Sequence, residues 1–152
     1  MAELPPCGLY RTNRELAGIP AGRLVYFHNH GEPGPGLYLP QSWKLNRAQF
    51  SERGQTLPSP SDASGLEPLP GEGLYRVREA FFCCAKQCRR FEPELLVQLG
   101  YNAAADAIVF VPEWTASGLA IPESGTGVDR ARLSMLQPLR VAQSAGTPSN
   151  AH

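Results

Sequence analysis

The chain has almost no lysine, no net charge and no long apolar run. Lysine occurs only at Lys44 and Lys86, and 14 basic side chains balance 14 acidic ones. A domain that grips nucleic acid through its phosphates is normally clearly basic, so this balance argues against nucleic acid as a partner. No apolar stretch approaches the roughly 18 residues that a membrane-spanning helix needs, so no membrane role is expected. The segment Met1–Cys7 lacks both the basic stretch and the apolar core of a secretory signal, although Leu4–Cys7 superficially resembles a lipoprotein cleavage box. The expected compartment is therefore the cytoplasm, where the four cysteines stay reduced. Phosphate-binding loops, dinucleotide fingerprints, nucleophile elbows and zinc-protease motifs are all missing. Their absence leaves no residue to name as catalytic and weighs against an enzyme. The Ala, Gly, Pro and Arg bias fits a GC-rich bacterial genome.

Glycine and proline are plentiful, at 15 each, and hydrophobic residues make up 42% of the chain. That punctuation suits short strands joined by turns, with enough apolar content for a core.

The chain also resembles itself. Gly8-Leu9-Tyr10-Arg11 recurs as Gly73-Leu74-Tyr75-Arg76. Leu24–Phe27 answers Leu96–Leu99, Leu37–Pro40 answers Val109–Pro112, and Trp43 answers Trp114, in the same order. Asn46–Ser51 is then matched with Asp129–Ser134. On this alignment the second copy carries two insertions, one holding Cys83, Cys84 and Cys88, the other following Trp114. The expected fold is mainly β: two small SH3-like antiparallel barrels or sheets from a tandem duplication, each with a short helix. The expected organisation is a first unit over residues 1–58, a linker over 59–72, a second unit over 73–141 and a disordered tail over 142–152.

Within the first unit, Leu24, Tyr26 and His28 alternate with Val25, Phe27 and Asn29, as a strand requires. Gly31–Gly36 must turn, and Leu37–Leu39 returns as the partner strand. Asn46, with Gln49 three residues on and Gly54 as a stop, reads as the start of a short helix. Asp129 reads likewise before Arg130–Leu136. The second unit repeats the hairpin at Leu95–Leu99 and Ile108–Val111.

Two constellations bear on chemistry. Cys83, Cys84 and Cys88 supply three soft donors within one insertion, with His28, His30 or Cys7 as a fourth for zinc. The competing reading buries these thiols among Phe81, Phe82 and Phe91, and it is the one expected here, with no cofactor. His28 and His30 share one strand face and add a second donor pair. Arg76, Arg78, Lys86, Arg89 and Arg90 form a local basic excess that reads as solvated edge charge. The recurring aromatics Tyr10, Tyr75, Trp43 and Trp114, with Tyr26, read either as core anchors or as the lining of a peptide groove. The leading expectation is a non-enzymatic module that binds another protein. The alternative is a small metal-binding protein or hydrolase that joins the cysteine cluster to His28 and His30.

Overall fold

A computed structural model describes residues 4–30 and 34–142 of the chain. It is mainly β, and its sheets are antiparallel. The first half runs β1 (Gly8–Thr12), β2 (Leu24–His28), β3 (Gly36–Tyr38), β4 (Pro40–Lys44), β5 (Arg47–Phe50) and β6 (Gln55–Thr56). A 3-10 helix over Pro60–Gly65 and β7 (Leu66–Pro68) follow. The second half runs β8 (Gly73–Val77), β9 (Phe81–Phe82), β10 (Arg90–Phe91), β11 (Leu96–Tyr101), β12 (Ala107–Phe110), β13 (Glu113–Thr115), β14 (Gly118–Ala120) and β15 (Thr126–Val128). It ends in a 3-10 helix over Arg130–Met135 and β16 (Leu136–Pro138). No helix among the described residues is long and apolar enough to cross a membrane.

Two five-stranded sheets carry the fold, with orders β6-β3-β2-β1-β7 and β15-β12-β11-β8-β16. Neither closes into a barrel. Their registers run in step. Tyr10 pairs with Val25 and Pro68, as Tyr75 pairs with Val97 and Pro138. Tyr26 faces Tyr38, as Gln98 faces Phe110. A two-stranded hairpin stands out from each sheet, β4-β5 in the first half and β13-β14 in the second.

Strand alternation decides the packing. Val25 and Phe27 of β2 join Tyr10, Leu16, Ile19 and Leu37 in one core. Leu24, on the opposite face of β2, joins Ala48 of β5 in the core of the second half, with Tyr75, Val97, Leu99 and Val109. The halves thus share apolar packing, and an Arg130–Glu67 ion pair with an N···O separation of 2.5 Å also spans them.

Several expectations are corrected. Arg47–Phe50 is a strand and no helix starts at Asn46, because Leu45 and Asn46 both sit at positive φ (51° and 66°). Two consecutive left-handed residues make the tight hairpin turn that joins β4 to β5. Of the two short helices, Arg130–Met135 falls where one is expected after Asp129, whereas Pro60–Gly65 falls in the expected linker; both are of the 3-10 type. The match of Asn46–Ser51 with Asp129–Ser134 therefore sets a strand against a helix. Gly118–Ala120, read as insertion, pairs with β13 as β5 pairs with β4.

Residues 59–72 are not structureless either. Ser59 caps the first 3-10 helix, its Oγ accepting the Ser61 amide at 3.4 Å, and β7 completes the first sheet. The expected disordered tail from residue 143 onward lies outside the described residues, as do Gly31, Glu32 and Pro33 of the expected turn.

Candidate functional site

A groove of about 660 Å³ opens on the first half. It is lined by side chains from β2, β3, the tight turn and β5, among them Tyr26, His28, Tyr38, Lys44, Arg47 and Phe50. The Tyr26 ring lies 5.9 Å from Phe50 and 6.4 Å from Tyr38, centre to centre, which makes an aromatic floor. Burial raises the Tyr26 hydroxyl above the ordinary tyrosine range, and the neighbouring Cys7 thiol adds to the shift. Lys44 and Arg47 put positive charge on one side, and Glu52 supplies an acidic group.

On the corresponding face of the second half the ground around Gln98 and Gly100 is covered, while a cleft of about 600 Å³ beside β12, lined by Ile108, Phe110, Gly125 and Asp129 among others, stays open. There β11 and β12 present Gln98, Gly100 and Phe110, and the Leu45–Asn46 turn of the first half sits on them. Gln98 Nε2 donates to Leu45 O at 3.0 Å, and Asn46 Nδ2 donates to Gln98 Oε1 at 3.0 Å and to Pro122 O at 2.9 Å. The approach is so close that a Cβ on Gly100 would lie 2.7 Å from Asn46 O. In the first half, His28 stands at the position of Gly100 and the groove remains open.

The aromatics expected to bind divide into distinct roles. Tyr10 and Tyr75 are buried, and each donates its hydroxyl to a carbonyl four residues back, Pro6 O at 2.7 Å and Gly71 O at 2.5 Å. They anchor cores, as does Tyr101, which belongs to no repeated block and donates to Pro70 O at 2.6 Å. Tyr26 lines the groove. Trp43 is half-exposed on β4 and donates Nε1 to Tyr101 O at 2.8 Å, so it braces the two halves. Trp114, at 83% exposure, is not a core residue and projects from β13 beside exposed Leu119, its cross-strand partner. The groove residues Tyr38, Lys44, Arg47 and Phe50 belong to no motif in the sequence. Only the antiparallel pairing of β2 with β3 brings Tyr38 beside Tyr26, and no local motif announces it.

The metal-donor residues form two separate groups, whereas the alternative reading of the sequence joined the cysteines to His28 and His30. Cys7, His28 and His30 bring one donor atom each within 4.8 Å of one another, and so do Cys83, Cys84 and Cys88. In the first group the two imidazole rings meet edge to face at 4.1 Å. Cys7 Sγ donates to Asn29 Oδ1 and accepts the Asn29 amide, both at 3.3 Å.

In the second group the sulfurs of Cys83 and Cys84 lie 3.6 Å apart and those of Cys84 and Cys88 3.8 Å apart. Strand pleating would have thrown Cys83 and Cys84 to opposite faces, but both follow the end of β9 and turn inward together. Amide hydrogen bonds from Cys88 first, then the Cys83 thiol and the Lys86 amide, lower the Cys84 thiol to about 7. The arginines of the basic excess nearby are paired: Arg76 with Glu94 and Gln137, Arg78 with Ser134 O, Arg90 with Glu92, and Arg89 with Thr126 and the Phe91 ring. In comparisons with known proteins, no family model, no curated protein and no solved structure matches this chain.

Proposed function

We propose that this protein is a non-enzymatic interaction module whose first half receives a segment of another protein in the Tyr26–Tyr38–Phe50 groove. The observation that carries this reading is the contrast between the halves. The face that holds the Leu45–Asn46 turn in the second half has an unfilled counterpart in the first. Tyr26 and His28 stand where Gln98 and Gly100 seat that turn, so the open groove suits an occupant that packs on rings rather than one held by an amide side chain. Aromatic rings favour an apolar or proline-rich segment, and Lys44 and Arg47 favour one with a carboxylate at its edge.

We read the two halves as a tandem duplication of an SH3-like unit. Shared strand order, the shared registers at Tyr10 and Tyr75, and the placement of Trp43 and Trp114 in corresponding hairpins all support this. The four free cysteines fit a reducing compartment such as the cytosol.

The test is a selection from a displayed random-peptide library on the full chain. Selected peptides should shift the amide resonances of Tyr38, Arg47 and Ser51, and should bind at least tenfold more weakly to Tyr38→Ala and Arg47→Glu. Peptides that bind these variants and the parent equally would place recognition elsewhere and sink the reading.

A further inference from the structure

We propose that Cys83, Cys84 and Cys88 bind one zinc ion, with the fourth position filled by a ligand from outside the chain. The argument begins with spacing. Four ligands around zinc at Zn–S of about 2.3 Å, at tetrahedral angles, put neighbouring sulfurs about 3.8 Å apart. The observed Sγ separations are 3.6 Å and 3.8 Å, and all three sulfurs lie within 4.8 Å of one another.

The loop around them is built to hold sulfur. It joins β9 to β10, and Gln87 adopts φ 55° to complete the turn. The Gln87 amide donates to Cys84 O at 2.9 Å, and the Cys83 amide to Arg89 O at 2.9 Å. A further amide points at a sulfur itself: Arg89 N–H donates to Cys83 Sγ at 3.3 Å. Hydrogen bonds into a ligand sulfur fix its direction and spread its negative charge, as the outer partners of metal ligands do.

The base of the site is rigid and its mouth is open. Cys83 is buried in the core beside the stacked rings of Phe81 and Phe91, and its carbonyl accepts the Asp129 amide at 2.9 Å. Cys88 is exposed, which leaves the outer side free for a fourth ligand such as water or a partner's side chain. Three thiolates and a divalent ion leave one negative charge, in a loop that also carries Lys86, Arg89 and Arg90. A set of soft sulfur donors selects a thiophilic ion over magnesium or calcium.

The experiment uses the untagged full chain, kept reduced with a phosphine, loaded with zinc and dialysed. Zinc content should fall by one equivalent on Cys88→Ser and stay unchanged on Cys7→Ser and His30→Ala. Added zinc should also slow alkylation of Cys83, Cys84 and Cys88 in the unsubstituted protein at least tenfold while leaving Cys7 at its original rate. That readout needs no variant to fold. Cobalt(II) in place of zinc should give a sulfur-to-metal charge-transfer absorption that disappears in Cys88→Ser. Zinc that survives Cys88→Ser, zinc lost only on Cys7→Ser or His30→Ala, or alkylation of all three clustered thiols unaffected by zinc would each overturn the proposal.

Discussion

Gly100 and His28 occupy the same place in their respective sheets, and the difference between them separates the two halves. At Gly100 there is room for a neighbouring backbone; at His28 there is an imidazole, and the groove beside it stays open. Sequence matching pairs these two positions, but it gives no hint that one of them lies under a hairpin, because the contact partner is some 50 residues away. Glu72 is a second residue of this kind. Its Oε2 accepts the Ala48 amide at 2.9 Å across the junction of the halves. Burial raises its carboxyl above the ordinary glutamate range, opposed in part by that hydrogen bond and by Arg47. A raised pKa in the folded state means the native protein holds the proton longer than the unfolded chain does. The stability this contributes is present below the ordinary glutamate pKa and is lost as pH rises through the raised one. Glu72→Gln keeps an acceptor for the Ala48 amide and removes the charge. Thermal unfolding should show the variant equal to the parent in acid and more stable at neutral pH. A parent that gains on the variant as pH rises would reverse the sign and refute the assignment.

Elements made by regular alternation were legible in the sequence, as was the short helix after Asp129, but two elements made by turn chemistry were not. The strand at Leu24–His28 and its return at Leu37 follow from period-two patterning. By contrast, Asn46-Arg47-Ala48-Gln49 carries the capping residues of a helix and becomes a turn and a strand. Asn tolerates the left-handed region as readily as it caps helices, so the letters alone do not decide. Pro60–Pro68 was hidden for the converse reason: Pro and Ser suit a linker, and they equally suit a capped 3-10 turn before an edge strand. The tight turn offers a direct check. Leu45 sits at φ 51° with its side chain 81% exposed, a conformation that costs leucine about 1 kcal/mol and costs Asn less. Leu45→Asn should therefore stabilise the protein by roughly 0.5–1 kcal/mol in urea unfolding. A loss of stability would mean that the leucine side chain has packing that its exposure conceals. A gain would mean that this leucine is kept at some expense of stability, as a residue on the rim of a binding groove would be.

At the scale of the whole molecule, the order of the repeated blocks was readable, but the way the halves mate was not. Mating depends on Leu24 and Ala48 entering the second core, on the Leu24 amide reaching Ala103 O at 2.8 Å, and on the turn seated over Gly100. None of these contacts leaves a periodic trace in the sequence. They do imply that the halves unfold together, since the core of the second half takes in Leu24 and Ala48 of the first. Trp43 provides the probe, because its Nε1–H donates to Tyr101 O across the junction at 2.8 Å. Trp114 is almost fully exposed, so Trp114→Phe leaves Trp43 as the single tryptophan at little cost to the fold. In that background, urea unfolding followed by Trp43 fluorescence should coincide with unfolding followed by far-ultraviolet circular dichroism. Adding Gly100→Ala forces a methyl to within 2.7 Å of the Asn46 carbonyl, where backbone must move. That strain should cost roughly 1–3 kcal/mol, and should move the Trp43 transition to lower urea than the dichroism transition if the junction opens first. Fluorescence and dichroism transitions that already differ before Gly100 is changed would mean that the halves are independent. In that case the seating of the turn on the second half could no longer explain why the surface over Gly100 is covered while the groove beside His28 is open.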